Sequence, residues 1–163
     1  MAQSELKIGD HIPAFETIDQ DSNSVTLESI LGQGPVVLYF YPKDHTPGCT
    51  KEACSFRDEY HDFQDLGATI YGISNDSPKS HREFIEKHRL PYSLLCDQGN
   101  KLRKLFGVPT GWLGLIPSRV TYIIDEQGVV QYVFNSQLNP EQHIKESLRV
   151  IRGMTSTNEG NQE

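Results

Sequence analysis

Two cysteines, Cys49 and Cys54, lie in one stretch of sequence whose composition predicts a helix. Thr46 is a good N-cap residue, and Pro47 suits the first helical position because no N–H is needed there. Cys49 then falls in the first turn, where free backbone N–H groups and the positive end of the helix dipole favour a negative charge. Because the thiolate is the nucleophilic form of cysteine, this placement predicts a reactive sulfur. The alternative is a buried cysteine that packs as a small hydrophobe and reacts with nothing.

The spacing between the two cysteines conflicts with a disulfide inside a helix. Residues five positions apart in an α-helix are rotated by about 140° and have Cα atoms roughly 8.7 Å apart, whereas a disulfide rarely spans more than about 7 Å. If Cys49 and Cys54 are both helical when reduced, they can bond only after the helix unwinds, which is within reach of local unfolding. From spacing alone, Cys54 can also be a core residue under the helix. Cys96 has no partner suggested by the sequence and is expected to be an inert, buried thiol.

The elements on both sides of this stretch predict an α/β architecture. Residues 36–41 form an apolar run without alternation, as expected for a strand buried on both faces. Further strands are predicted at 15–18, 25–27, 68–73, 94–96, 119–125 and 129–134, and helices at 46–65, 77–88, 100–106 and from 139 onwards. This order predicts a mixed central sheet with helices on both faces and an N-terminal β-hairpin. Cys49 closely follows a strand, in the crevice where such sheets favour ligands.

Composition and charge narrow the classes of function. At 163 residues, the chain is expected to form a single domain over residues 1–153, followed by a polar, disordered tail at 154–163. The formal net charge of −7 argues against nucleic-acid and anionic-membrane partners. No apolar run approaches the length of about 20 residues that a transmembrane helix needs. With three cysteines and no apolar signal segment at its start, the chain is expected in a reducing compartment, the cytoplasm, with a mature plastid stromal form as the alternative.

The residues before Cys49 carry a resemblance to a known family. Residues 42–49 read Pro-Lys-Asp-His-Thr-Pro-Gly-Cys. The pattern Pro-x-x-x-Thr-x-x-Cys within them resembles the signature of the peroxiredoxins, which are thiol peroxidases with a thioredoxin-like fold. The longer segment from Tyr39 to Asp58 is similar to the subfamily called peroxiredoxin Q or bacterioferritin comigratory protein. The similarity extends from about Ile8 to Ile151, and it implies a thioredoxin-like α/β fold.

The resemblance implies a reaction and its partners. Cys49 would attack hydrogen peroxide or an organic hydroperoxide and become a sulfenic acid. Cys54 would then condense with it to form an intramolecular disulfide, which thioredoxin or a similar dithiol would reduce by exchange. The family needs no cofactor for this chemistry, and the subfamily resemblance implies a monomer.

The resemblance also assigns roles to the residues around the sulfur. Pro42 would shield the sulfenic acid, and Thr46 would hydrogen-bond the sulfur and the peroxide. The backbone N–H groups of Gly48 and Cys49 would complete the pocket for the substrate. These four positions lie within the matching string, so they follow from it residue by residue.

Two charged residues are implied to complete the site. Arg119 is similar to the family arginine that contacts the thiolate and the peroxide oxygens, and a planar, always-charged donor fork suits that task. Glu52 matches a position where a carboxylate orients an arginine. Without the resemblance, each of these side chains is as readily explained as a solvated residue at the surface.

Other kinds of site and function remain to be distinguished. A metal site built from His45, Cys49, Cys54 and His61 is disfavoured, because the Cys-x₄-Cys spacing is wrong for a zinc knuckle and no second cysteine pair exists. A redox-sensing interaction module could use the same cysteine switch without turnover. A protein disulfide oxidoreductase is disfavoured because the sequence has no Cys-x-x-Cys motif.

Overall fold

A computed structural model of the protein describes residues 5–108, 119–135 and 139–160. The strands are β1 (Glu16–Asp19), β2 (Ser24–Thr26), β3 (Val36–Phe40), β4 (Thr69–Ser74), β5 (Ser93–Cys96), β6 (Val120–Ile124) and β7 (Val130–Asn135). The helices are α1 (Leu27–Ile30), α2 (Pro47–Asp58), α3 (Tyr60–Asp65), α4 (Pro78–His88), α5 (Lys101–Phe106) and α6 (Pro140–Gly160), with a short 3₁₀ turn at Gln98–Asn100. The strands and the main helices therefore follow the predicted order.

The described strands form one mixed sheet in the order β2-β1-β5-β4-β3-β6-β7. Strands β3, β4 and β5 run parallel to one another, whereas the outer pairings of β1 with β2 and β5, and of β6 with β3 and β7, are antiparallel. The predicted mixed sheet and the N-terminal hairpin of β1 and β2 are thus confirmed. The parallel centre places the carboxyl end of β3 beside that of β4, and the loop to α2 starts there.

The side chains of β3 alternate between two hydrophobic clusters, one on each face of the sheet. Leu38 and Phe40 point into the cluster covered by α1 and α5. Val37 and Tyr39 point into the cluster covered by α2, α3, α4 and α6, and Cys49 belongs to this second cluster. The predicted cover of helices on both faces is therefore confirmed, and the candidate nucleophile lies in the larger helical layer. No described helix combines the length and the apolar character needed to cross a bilayer.

One predicted helix is wrong in its extent. The helix predicted over residues 46–65 is broken at Glu59, which has φ −99° and ψ 6°. No glycine or proline marks this break, and packing decides it: Phe56 and Phe63, on either side, are both fully buried with ring centroids 5.8 Å apart. At the other end of the chain, α6 extends to Gly160. The domain bounds of 1–153, with a polar tail from residue 154, stay a prediction. Met154 continues the apolar stripe of the helix and packs against the second cluster, which explains why the helix passes that boundary.

Candidate active site

The loop between β3 and α2 presents the start of α2 at the edge of the sheet. Pro47 occupies the first helical turn, as predicted, and Thr46 occupies the N-cap position with φ −91° and ψ 150°. The Thr46 side chain was expected to cap the helix, but it makes no capping hydrogen bond. Its hydroxyl instead donates a hydrogen bond of 2.8 Å to the carbonyl oxygen of Lys43, which closes the loop on itself. The first N–H groups of α2 are therefore left for another acceptor.

Cys49 is the third residue of α2 and is only 2 % exposed. Arg119 Nη2 donates to its sulfur at 3.6 Å. A Cβ atom on Gly48 would lie 3.1 Å from the same Nη2 atom, so a glycine at this position lets the guanidinium approach the helix start. A cationic group and a helix N-terminus thus meet at one buried sulfur, and both favour its ionised form.

Arg119 is held by a buried carboxylate. Its Nη1 donates to Glu52 Oε1 at 2.8 Å, and the side chains of Arg119 and Glu52 are 7 % and 0 % exposed. Burial raises the pKa of Glu52 to about 7, against the lowering effect of the Arg119 ion pair. Burial alone would lower the pKa of Arg119, but the charges of Glu52 and Cys49 outweigh it and raise that pKa. The solvated alternatives considered for both residues are therefore wrong.

Two residues that sequence reasoning missed lie behind this pair. His143 Nδ1, on α6, is 3.7 Å from Glu52 Oε2 and 2.7 Å from Thr121 Oγ1. Both Thr121 and His143 are buried. The available signal was the buried face of α2, where Cys49, Glu52, Ala53 and Phe56 recur at helical spacing. An acidic residue in an otherwise apolar stripe calls for a buried partner.

A second arginine, Arg103, also faces the sulfur. It is 6 % exposed, and Nη2 donates to the carbonyl oxygen of Tyr41 at 2.8 Å. Its guanidinium lies over the ring of Phe40, 5.5 Å from the ring centroid. Burial lowers the pKa of Arg103, and the nearby charges of Asp97 and Cys49 act in the opposite direction. The sequence offers no motif for this residue, because α5 reaches the site only through the fold.

A buried ionic network holds the other side of the loop. His81 Nδ1, on α4, lies 2.7 Å from Asp44 Oδ2, and Nε2 lies 3.0 Å from the carbonyl oxygen of Leu95. Because both ring nitrogens face acceptors, the imidazole is doubly protonated. Burial opposes that charge, but the Asp44 hydrogen bond, with a contribution from Cys96, raises the pKa of His81 to about 9.

Asp44 forms further hydrogen bonds with the residue after β3, with the loop before α4 and with α4 itself. Its carboxylate accepts from the hydroxyl groups of Tyr41 at 2.5 Å and Ser80 at 2.9 Å. Its backbone N–H donates to Asp76 Oδ2 at 2.9 Å. The next residue, His45, has a positive φ of 63°, which a non-glycine residue adopts only when its surroundings hold it. The Asp44 network supplies that hold.

The other two cysteines differ in their surroundings. Cys54 is half-buried, lies in α2 with Cys49, and forms no disulfide with it in this structure. Cys96 is 2 % exposed, as predicted for a buried thiol, and its Sγ donates to the carbonyl oxygen of Asp19 at 3.7 Å. The helical position of both Cys49 and Cys54 makes the geometric conflict predicted from their spacing real in the reduced chain.

Two further predictions concern Pro42 and the residues considered as metal ligands. Pro42 is half-buried in the loop that joins β3 to α2. Among the described residues, the group whose ligand atoms come close enough to share a metal ion is Asp44, Asp76 and His81, rather than the set that includes the cysteines. The Asp44 and His81 side chains are already paired with each other, and the Asp76 carboxylate accepts from the backbone N–H of Asp44.

Comparisons with known proteins identify the family. The AhpC/TSA family matches residues 8–133. Chloroplastic peroxiredoxin Q of wheat (Triticum aestivum) is 51% identical over 142 residues, covering 87% of this chain, which in turn spans 65% of the wheat protein. The crystal structure of peroxidoxin BcpB from Mycobacterium tuberculosis has a TM-score of 0.85 and 38% identity, covering 91% of this chain and 98% of that one. The bacterioferritin comigratory protein of Xanthomonas campestris has a TM-score of 0.79 and 28% identity, covering 95% and 99%.

The resemblance read from residues 42–49 and the geometry around the sulfur agree with these matches. The helix start, the arginine and the buried carboxylate lie together as the resemblance implied. The chain therefore belongs to the AhpC/TSA family and is a peroxiredoxin of the peroxiredoxin Q and bacterioferritin comigratory protein type, with their thioredoxin-like fold.

Proposed function

We propose that this peroxiredoxin reduces hydrogen peroxide and organic hydroperoxides with Cys49 as the nucleophile. The single observation that supports this most is the contact of Arg119 Nη2 with the sulfur at the start of α2. The thiolate attacks one peroxide oxygen, the O–O bond breaks, and the other oxygen leaves as water or an alcohol after taking a proton. The sulfur is oxidised to a sulfenic acid. Organic hydroperoxides are included because the Xanthomonas campestris relative is described by its alkyl peroxide reduction activity.

The surroundings of the sulfur suit the charge that moves during this step. Negative charge passes from sulfur to the departing oxygen, and the Arg119 guanidinium can donate to both atoms. Glu52 keeps the guanidinium in place from the side away from the substrate. The Gly48 and Cys49 N–H groups supply donors at the helix start, Pro42 shields the product, and the Thr46 hydroxyl turns from Lys43 to the substrate.

Resolution by Cys54 completes the proposed catalytic cycle. The Cys54 thiol condenses with the sulfenic acid, forms an intramolecular disulfide and releases water. Since both cysteines lie in α2, the helix must open between them first. One hydrogen bond opposes this opening: the Tyr92 hydroxyl donates to the Ala53 carbonyl oxygen at 2.8 Å. Cys54 is half-buried, so it needs little change in its surroundings to reach the moving segment.

A dithiol protein such as thioredoxin is proposed as the reductant, acting by thiol–disulfide exchange on the Cys49–Cys54 bond. The cycle needs no cofactor, and we propose a monomer as the working form. The chloroplastic wheat relative supports the plastid stroma, the alternative named from the sequence, over the cytoplasm. Nucleic acid and membranes are not proposed as partners, given the net charge of −7.

Intact-mass analysis after one equivalent of peroxide tests this proposal. The wild type and a Cys96→Ser control should each lose two mass units per chain (about 2 Da, the mass of two hydrogens), and peptide mapping should link Cys49 to Cys54. Cys54→Ser should instead stop at the sulfenic acid of Cys49, and Cys49→Ser should consume no peroxide. A disulfide between Cys49 and Cys96, or peroxide consumption by Cys49→Ser, would contradict the assignment.

Steady-state turnover separates the enzyme from a sensor that uses the same switch. With thioredoxin, thioredoxin reductase and NADPH supplied, the wild type should consume many equivalents of peroxide per chain. Consumption that stops at one equivalent, with the disulfide left in place, would favour the redox-sensing module.

A further inference from the structure

The two oxygens of the buried Glu52 carboxylate differ in their hydrogen bonding. Oε1 accepts from Arg119 Nη1 at 2.8 Å, but Oε2 has no hydrogen-bond partner among the residues that the structure describes. The side chain is 0 % exposed, so water does not satisfy this atom at the surface. An unpaired buried acceptor on an ionised group is costly, and a native fold normally provides a donor for it. The group that donates a hydrogen bond to Oε2 therefore affects how firmly Glu52 holds Arg119.

His143 is in position to be that donor. Its Nδ1 lies 3.7 Å from Glu52 Oε2, so an approach of about 0.8 Å would make an ordinary hydrogen bond of 2.9 Å. The ring is fixed by an edge-on contact with Phe134, with centroids 4.2 Å apart. The Ser147 hydroxyl donates to the His143 carbonyl oxygen at 2.6 Å within α6. The contact with Phe134 and the helix backbone therefore fix the imidazole at the back of the site.

Thr121 competes for the same nitrogen. Its Oγ1 lies 2.7 Å from His143 Nδ1, closer than Glu52 Oε2. When Nδ1 carries the proton, it can donate to the Thr121 oxygen or to the Glu52 oxygen. The Thr121 oxygen accepts the hydrogen bond while Glu52 is neutral, and the Glu52 carboxylate is the stronger acceptor once it is ionised.

We propose that His143 is a positioning residue of this peroxiredoxin: by donating from Nδ1 to Glu52 Oε2, it keeps Glu52 ionised and thereby keeps Arg119 against the sulfur of Cys49. Ionised Glu52 binds Arg119 through charge as well as through the hydrogen bond, whereas neutral Glu52 loses the charge. The link runs from α6 through α2 to the residue before β6, and every side chain in it is buried. The inference about catalysis rests on the proposed function, but the hydrogen bond itself does not.

The groups that surround Glu52 set the background for its titration. Burial raises the pKa of Glu52 to about 7, and Arg119 acts against that rise. The titratable or charged groups that face it come from three elements and two loops: Cys49 on α2, His143 on α6, Tyr39 on β3, Arg119 before β6 and Tyr92 before β5. The effect of His143 is therefore best read as a difference between variants that leave the other four groups unchanged.

Direct titration of the Glu52 carboxyl group tests the hydrogen bond. Protein labelled with ¹³C at the glutamate carboxyl carbon is titrated by NMR with the cysteines reduced, and the Glu52 signal is the one missing in Glu52→Gln. His143→Leu should raise the pKa of Glu52 by about one to two units, the effect of losing one hydrogen bond to a charged group. Thr121→Val should lower it, since the Thr121 oxygen then no longer competes with Glu52 for Nδ1. His61→Leu, an exposed histidine with a side chain 83% accessible, is the matched control and should leave it unchanged.

Opposite signs for the two variants distinguish a hydrogen-bond donor from a packing residue. If His143→Leu and Thr121→Val shift the Glu52 titration in the same direction, or neither shifts it, the proposal is overturned. Circular dichroism and thermal unfolding of each variant show whether it folds. If His143→Leu does not fold, the direction of the Thr121→Val shift decides the test. His143→Asn, whose amide nitrogen can replace Nδ1, should then retain the wild-type titration of Glu52.

Single-turnover oxidation by hydrogen peroxide tests the consequence for catalysis. A rise of one to two units leaves Glu52 mostly neutral at pH 7, so His143→Leu should react roughly 5- to 50-fold more slowly than wild type at pH 7 and within about twofold of it at pH 9. His143→Asn should restore the wild-type profile. A Glu52 shift without any change in the ratio of rates across this pH range would refute the positioning role while leaving the hydrogen bond in place. If the wild type does not react with peroxide at all, the proposed function fails, and the NMR result stands independently.

Discussion

Replacing His81 by asparagine should remove a pH-dependent part of the folding free energy. The imidazole is completely buried, and its two nitrogens face Asp44 Oδ2 and the Leu95 carbonyl oxygen. An asparagine amide nitrogen can replace Nδ1 as donor to Asp44, but it does not titrate and does not reach Leu95. The substitution therefore keeps one hydrogen bond of the loop and removes the charge.

The magnitude follows from the shift in the pKa of His81. The hydrogen bond and charge of Asp44 overcome burial and raise this pKa from 6.5 to about 9 in the folded chain. A shift of one unit corresponds to about 1.4 kcal/mol, so the charged form contributes on the order of 3 kcal/mol to stability. Because the folded pKa lies above the unfolded one, this contribution is fully present below pH 6.5. It is lost as the pH rises towards and through 9.

Urea unfolding at pH 6 and pH 9.5, with the cysteines kept reduced, measures this contribution. Between these two pH values the wild type should lose about 3 kcal/mol more unfolding free energy than His81→Asn. His61→Asn changes an exposed histidine on α3 and serves as the control, which should follow the wild type. Equal losses in the wild type and His81→Asn would refute the buried imidazolium. The opposite sign, with His81→Asn losing more, would mean that His81 is neutral in the fold.

Three further substitutions test single contacts of the site. Arg119→Lys keeps the charge but cannot reach Glu52 and the sulfur together, so stopped-flow oxidation by peroxide should slow by about 10²–10³-fold; a near-wild-type rate would remove the guanidinium fork from the mechanism. Gly48→Ala places a Cβ atom 3.1 Å from Nη2, which must retreat, so the same rate should fall about tenfold with little change in unfolding free energy. Tyr92→Phe removes the hydrogen bond of 2.8 Å to Ala53, so disulfide formation after the peroxide step should become up to about fivefold faster. An unchanged rate in Tyr92→Phe would show that the helix opens elsewhere.

The elements around the sulfur could be predicted from sequence because their signals are local. Thr46 and Pro47 mark the start of α2 by backbone chemistry alone, and residues 36–41 read as a buried strand from their apolar run. Gly67, with φ 73°, ends the region of α3 at the predicted glycine. The break at Glu59 could not be predicted, because it follows from packing of residues on both sides rather than from any local breaker.

The sequence predicts only some of the charged residues of the site, because burial and long-range contacts cannot be read from local sequence. Arg119 and Glu52 were named because they match a motif, yet their burial could not be read from composition. His143 follows Glu52 by about ninety positions, and nothing in its own neighbourhood distinguishes it from a surface histidine. Only the packing of α6 on α2 brings it to the carboxylate. Side chains whose role depends on contacts between distant elements need the fold before they can be recognised.

The two steps of the proposed cycle need different states of α2, and this difference sets their order. The peroxide step needs α2 intact, because the helix start and the Arg119 contact stabilise the ionised sulfur. The disulfide step needs α2 open, because Cys49 and Cys54 in one helix are roughly 8.7 Å apart at their Cα atoms. In the proposed cycle, oxidation to the sulfenic acid removes the thiolate charge that Arg119 and the helix start stabilise, so we expect the contact that favours the closed form to weaken. We therefore expect the first reaction to lower the barrier to the conformational change that the second requires.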